Sequence, residues 1–316
     1  MDTEIIHTMA SIWGVSCRKI RDDISIPGSP ERFLERALIE DEKGNLFVLE
    51  KIPRQALKHK LRIIHTLQYL RTHGLSCIQP YLHNMHGDFI AEVADGYCQM
   101  VPYVAGVDLS RPSYVADGWR GIVLADFLAN LKQASLNVPN FTDQVPFSVK
   151  TYIEGLTVIL KQHEPSLHEA LLPVLSFLDN RFMDVHDRLP LAFCHGDYHP
   201  LNIVWGADSM RAVIDWEFLG YKPEIYDVAL LIGCIGIEEP EGLLGDLVLN
   251  FIHTLREKTM IGDSSWGVLL EFVIATRFAW LAEWLRKRDV EMVNLEVVYL
   301  KLLTDHAEML RKTWSE

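Results

Sequence analysis

The sequence predicts an α+β chain in two parts, a β-rich N-terminal lobe and a mostly helical C-terminal lobe. Three observations predict it. Up to about residue 103, short apolar runs alternate with Gly- and Asp-containing turn signals. From Ser113 onward, apolar residues recur at helical spacing. One pair of short apolar runs, Ile203-Val204-Trp205 and Ala212-Val213-Ile214, interrupts the helical part and reads as a β-hairpin. The β-rich lobe is taken as residues 1–101 and the helical lobe as 108–316, and residues 102–107 between them resemble a connector between lobes.

Residues 1 to about 20 begin as helix and give way to strands. Phe33–Glu40 and Asn45–Lys51 are two strands joined by the turn Asp41-Glu42-Lys43-Gly44. In the second, Phe47, Leu49 and Lys51 fall on one face, because strand side chains alternate. A lysine ending such a face either projects into a cleft or points into water. A helix follows from about Arg54 to His73 and carries no acidic residue. Strands at Phe89–Ala94 and Tyr97–Tyr103 turn at Asp95-Gly96 and run into the connector. The helices of the second lobe are placed at 117–135, 149–162, 166–184 and through most of 242–313.

The densest chemistry lies between Leu191 and Ala229. A short apolar run ends in His195-Gly196-Asp197, Asn202 follows, and a second run ends in Asp215-Trp216-Glu217. An ionised Asp197 can accept a proton from a hydroxyl. Asp215 and Asn202 offer hard oxygen donors of the kind magnesium takes alongside phosphates and water. Antiparallel pairing of the hairpin brings Asn202 and Asp215, at the two strand ends, towards one ion. The bland reading is that these are turn residues bonded to nearby backbone. His195 is expected to brace the loop, and Tyr198 and His199 to face solvent.

These residues resemble a family. HGDYHPLNIVW followed by VIDWE is similar to the aminoglycoside phosphotransferase and choline kinase group of small-molecule kinases, which share the protein-kinase-like fold. The close match spans about forty residues, and a looser order of elements spans most of the chain. The resemblance implies Asp197 as catalytic base and Asn202 and Asp215 as magnesium ligands. It implies ATP as phosphate donor, with GTP as an alternative. It makes Asp227 a structural residue tying the loop to the next helix. It also implies phosphate contact by Lys51 and contact with the nucleotide base by Pro102 and Val104, where proline offers only its carbonyl. Two departures stand out. Kinase-like proteins pair the strand lysine with a glutamate on the following helix, and here only Gln55 or Gln68 is available to orient Lys51. Where a glycine-rich phosphate loop is expected, residues 26–32 hold one glycine and two prolines, with Arg32 and Arg36 nearby.

Composition narrows the partners. The net charge of −13 disfavours nucleic acid and anionic membranes, which reward positive patches. Five cysteines without a C-x-x-C pair suit reduced thiols in a cytoplasmic protein. The N-terminal residues carry no signal-peptide pattern, and the apolar run 228–237 is too short to span a bilayer. The expected reaction is transfer of a phosphate to a hydroxyl of a small molecule. Amino alcohols, homoserine-like compounds, sugars and aminoglycosides are all candidates. A cationic acceptor would suit tryptophans and carboxylates on one late helical face, Trp280, Glu283 and Trp284 with Arg277. A protein serine/threonine kinase and a non-catalytic nucleotide-binding relative are the alternatives.

Overall fold

The computed structural model describes residues 2–28, 32–139, 146–258 and 261–315. In chain order the elements are α1 (Thr3–Ser11), β1 (Cys17–Ile20), β2 (Glu35–Asp41), β3 (Leu46–Ile52), α2 (Leu57–Thr72), β4 (Ile90–Val93) and β5 (Gly96–Pro102). Then come α3 (Gly118–Ala134), α4 (Val149–His163), α5 (Pro165–Arg181), α6 (Met183–His186), β6 (Leu191–Cys194), β7 (Ile203–Trp205), β8 (Met210–Val213) and β9 (Gly220–Pro223). The chain closes with α7 (Tyr226–Glu238), α8 (Asp246–Glu257), α9 (Asp263–Trp266), α10 (Leu269–Lys287), α11 (Val290–Asp305) and α12 (Ala307–Ser315). A β-rich N-terminal part and a mostly helical C-terminal part are what the sequence predicts.

Two compact units emerge. The first comprises Met1–Leu109, Gln133–Thr142 and Leu201–Glu217. Its centre is an antiparallel five-stranded sheet in the order β1-β2-β3-β5-β4. The turn between β2 and β3 forms because the Asp41 carboxylate accepts the backbone N–H groups of Lys43 and Asn45, each at 2.8 Å. Alternation then divides the sheet. Ala37, Ile39, Leu49, Cys98 and Met100 pack with Ile6, Met9, Ala10 and Trp13 from α1 and its end. Leu49 and Ile39 are fully buried there, so truncating either to alanine costs about 2–5 kcal/mol. The other face carries Arg36, Val48, Glu50 and Val101.

The hairpin β7–β8 belongs with this unit rather than with the helices that flank it in sequence. Its register pairs Ile203 with Val213 and Val204 with Ala212. The Val213 N–H donates to the Cys77 carbonyl at 2.7 Å, the Val107 N–H to the Trp205 carbonyl at 2.8 Å, and Arg211 to the Ala105 carbonyl at 3.0 Å. Those bonds stitch the hairpin to the connector and to the segment after α2, a grouping that the boundary at residue 108 does not anticipate.

The second unit comprises Ser110–Lys132, Asp143–Pro200 and Phe218–Glu316. Its helices pack around α7 and α10, whose residues Leu231, Ile232, Ile235, Phe272 and Ile274 are fully buried. The two-stranded antiparallel ladder β6–β9 is its only sheet among the described residues. β9 has no counterpart in the sequence reading, because GYKP carries none of the apolar alternation that marks a strand. Among the described residues, no helix is long and apolar enough to cross a membrane.

Candidate functional site

In the second unit, β6 delivers the chain into His195-Gly196-Asp197. The backbone N–H groups of His195 and Gly196 donate to the two oxygens of Asp227 at 2.7 and 2.9 Å. Asp227 sits in the first turn of α7, so this carboxylate ties the loop to the helix. Burial pushes its pKa up to about 6, against the lowering pull of the two N–H donors and of Lys222. Gly196 has φ +85°, and a Cβ there would lie 2.1 Å from the Phe218 carbonyl oxygen. Only glycine meets both conditions. The Asp197 N–H donates to Nδ1 of His195 at 3.2 Å. That fixes His195, which is wholly buried, with its Nδ1 unprotonated and its ring bracing the loop.

Tyr198 and His199 do not face solvent. Tyr198 is fully buried, donates its hydroxyl to the Leu124 carbonyl at 3.0 Å and stacks on Phe127. His199 is 8% exposed, with Nε2 at 3.6 Å from Asp197 Oδ1 and its ring edge-on to Trp280. Both side chains combine an apolar body with a polar tip, and packing claims the body. Trp280 stacks in turn on Trp284 at 5.9 Å. Arg277 stands beside them as expected, its guanidinium 5.5 Å over the Trp280 ring, and it is buried against Glu296, which also accepts from the Trp284 indole at 3.2 Å. Lys222, a residue the sequence does not single out, is buried behind the loop. It donates to the Phe218 carbonyl at 2.5 Å, and burial lowers its pKa.

In the first unit, the hairpin brings Asn202 and Asp215 to adjoining positions. The Ile214 N–H donates to the Asn202 carbonyl at 2.9 Å. Asp215 follows with φ +64°, a left-handed conformation that aspartate tolerates better than most residues and that turns its carboxylate out of the strand. Asp215 lines a cavity together with Ile214, Trp216 and Glu217, the connector residues Pro102, Tyr103 and Val104, and the segment Ile26-Pro27-Gly28. An added Cβ on Gly28 would lie 3.9 Å from Ile214, so this segment covers the end of β8. Ser29, Pro30 and Glu31 lie outside the described residues. Arg32 forms an ion pair with Asp215. The Tyr103 N–H is committed to the Leu46 carbonyl at 2.9 Å.

Lys51 is not part of this cavity wall. It stands one residue beyond Glu50, and alternation sends it to the opposite face. There its ammonium lies 3.5 Å from Glu35 and 3.7 Å from Asp95. Gln68, considered as its orienting partner, donates to the Tyr81 carbonyl at 3.1 Å. Besides Asp215, the charges that line the cavity are Arg36 and Glu217, which the sequence reading names, and Glu50, which it passes over. Glu50 accepts from the Gln99 amide at 2.7 Å and faces Arg36. Burial raises the Glu50 pKa, opposed by the charges of Arg36 and Lys60. Lys60 of α2 is 2% exposed and pairs with Glu217. Burial alone would lift the Glu217 pKa, but its bond to the His59 ring and the Lys60 charge bring it down to about 2. Period-2 alternation read from Val48 and Glu50, instead of from Lys51, was the available signal.

The donor set at the hairpin fits magnesium. Among the described residues, no three His, Cys, Asp or Glu side chains converge as a metal cluster. An ion held by Asn202 and Asp215 would therefore fill its shell with phosphate oxygens and water, which is magnesium's habit.

Comparison with known proteins bears on the family and the fold. The model of the APH phosphotransferase enzyme family matches residues 33–257. A homoserine kinase of Nitrobacter winogradskyi is 23% identical over 195 residues, covering 62% of this chain and 58% of that protein. A homoserine kinase of Beijerinckia indica subsp. indica is 24% identical over 197 residues, covering 61% and 59%. The match thus spans less than two thirds of either relative. Among solved structures, the GDP complex of aminoglycoside 2'-phosphotransferase-IIIa has a TM-score of 0.68 at 18% identity, covering 97% of this chain and all of that one. An amicoumacin kinase bound to AMP-PNP, Ca2+ and Ami has a TM-score of 0.65 at 16% identity, covering 96% and 94%. These two share the fold. With the family model spanning well over half its length, the chain belongs to the phosphotransferase enzyme family.

Proposed function

We propose that the chain is an ATP- and magnesium-dependent phosphotransferase that moves the γ-phosphate to a hydroxyl of a small molecule. Asp197 serves as general base, Asn202 and Asp215 hold the metal, and Pro102 and Val104 contact the nucleotide base. The observation that carries this reading is the hairpin. Its register sets Asn202 beside the strand end from which Asp215 enters a cavity that the connector also lines. Magnesium, when bound, neutralises charge on the transferring phosphates. The protein's own work is to orient the acceptor hydroxyl and to offer Asp197 as proton acceptor, with the loop fixed by His195 and Asp227.

A homoserine-like acceptor is the first to test, because both curated relatives are homoserine kinases. Amino alcohols, sugars and aminoglycosides come next. His199, Trp280 and Trp284 form an aromatic wall in the unit that holds Asp197, which suits a small cationic group. The five unpaired cysteines fit a reducing cytoplasmic setting. The experiment is label transfer from γ-labelled ATP and GTP across that acceptor panel, with Asp197→Asn as control. Transfer to one acceptor by the wild type alone supports the reading. Label appearing only in protein supports a protein kinase, and binding without any transfer a non-catalytic relative.

A further inference from the structure

With Lys51 turned away from the cavity, the phosphates of a bound nucleotide need another cation from this sheet. Arg36 and Glu50 are direct register partners on β2 and β3, and both line the cavity. Arg36 donates from Nη2 to the Pro27 carbonyl at 2.9 Å, which places its guanidinium beneath the segment that covers Ile214. Its Nε is buried without a hydrogen bond and lies 3.4 Å from Glu50 Oε1. The other Glu50 oxygen accepts from Gln99, and the guanidinium rests 4.8 Å over the Phe33 ring. The head group is thus clamped from several sides, yet it carries more donors than the protein satisfies. The rung Glu50–Gln99 is three steps along the sheet from Phe47–Pro102 at the connector, a separation of roughly 10 Å. A nucleotide whose base sits at the connector would extend its phosphates towards Arg36. Among the described residues, two other cations of this region are already occupied, Lys60 by Glu217 and Arg32 by Asp215.

We propose that Arg36 contacts the phosphates of the bound nucleoside triphosphate and that Glu50 is its positioning residue. The pair is a cross-strand substitute for the strand-lysine and helix-glutamate pair of kinase-like proteins. It explains why α2 needs no acidic residue: the counter-charge comes from β3. A guanidinium suits the task, since its planar fork matches phosphate oxygens and it stays charged. The inference rests on the phosphotransferase reading above.

The test is calorimetric titration of ATP with magnesium, and of adenosine, into wild type, Arg36→Met, Arg36→Lys, Glu50→Gln and Lys51→Met; GTP and guanosine are run in parallel. Arg36→Met is expected to weaken triphosphate binding about 10- to 100-fold while leaving nucleoside binding unchanged. Arg36→Lys should recover part of the loss, and Lys51→Met should bind as wild type. Glu50→Gln should weaken triphosphate binding less, and not at all in an Arg36→Met background. Equal losses for triphosphate and nucleoside would reduce Arg36 to a structural role and overturn the inference, as would unchanged triphosphate binding. Should Arg36→Met fail to fold, the ratio of triphosphate to nucleoside affinity in Arg36→Lys carries the same decision. A wild type that binds neither ligand refutes the phosphotransferase reading itself.

Discussion

The loop from His195 to Asp197 and the strand β3 make an instructive pair. Both present a charged residue at the end of a short apolar run. In the loop, the demands set by His195, Asp227 and the Phe218 carbonyl leave their mark on residue type. Gly196 must be glycine, and Asp227 must accept two N–H groups. In β3, the functional face depends on which way alternation points, and that is set by pairing with β2 and β5. Moving the assignment by one residue exchanges Lys51 for Glu50 and reverses the charge at the cavity. Backbone-defined motifs are therefore readable from letters alone, whereas alternation groups a strand's residues by face without saying which face meets the cavity.

The sharpest way to break this contrast is at Asp197. Asp197→Asn should lower the rate of phosphate transfer about 10²- to 10⁴-fold with the melting temperature nearly unchanged. Turnover equal to wild type would remove Asp197 as base. Gly196→Ala attacks the backbone of the same loop. Left-handed strain together with the clash at the Phe218 carbonyl should destabilise the protein by about 3 kcal/mol or more, read by chemical denaturation. A fully stable variant would show that the loop tolerates a side chain.

Asp227→Asn removes one of two acceptors and should cost about 1–3 kcal/mol at neutral pH. Its pH dependence has a definite sign. The folded-state pKa, raised to about 6, exceeds the unfolded value, so the native state holds the proton longer. This group's contribution to stability therefore declines as pH rises from about 4 to 6. Asp227→Asn should remove that slope from the dependence of melting temperature on pH. Smallest of all is Lys51→Ala, which should change ATP affinity less than about twofold. A large loss would mean that the alternation argument has been drawn on the wrong face.

Much of the fold is legible beforehand, and each success has a local cause. The β2–β3 turn follows from Asp41 and Gly44, and the hairpin from two apolar runs around a polar turn. The long helices follow from their spacing. What the letters hide is tertiary. The hairpin groups with the N-terminal part because Val213 and Arg211 donate to the Cys77 and Ala105 carbonyls and Trp205 accepts from the Val107 N–H. Tyr198 and His199 are buried because Phe127 and Trp280 arrive from distant helices. Lys60 meets Glu217 across 157 positions, which no spacing rule anticipates.

The central claim is a magnesium-dependent nucleotide site built on Asp215. The most direct measurement is the melting temperature with and without saturating ATP and magnesium, on wild type and on Asp215→Ala. A ligand that binds the native state raises that temperature. The account predicts a rise for wild type that requires magnesium and disappears in Asp215→Ala. Neither ATP nor GTP shifting the wild type, or an undiminished shift in the variant, would contradict it.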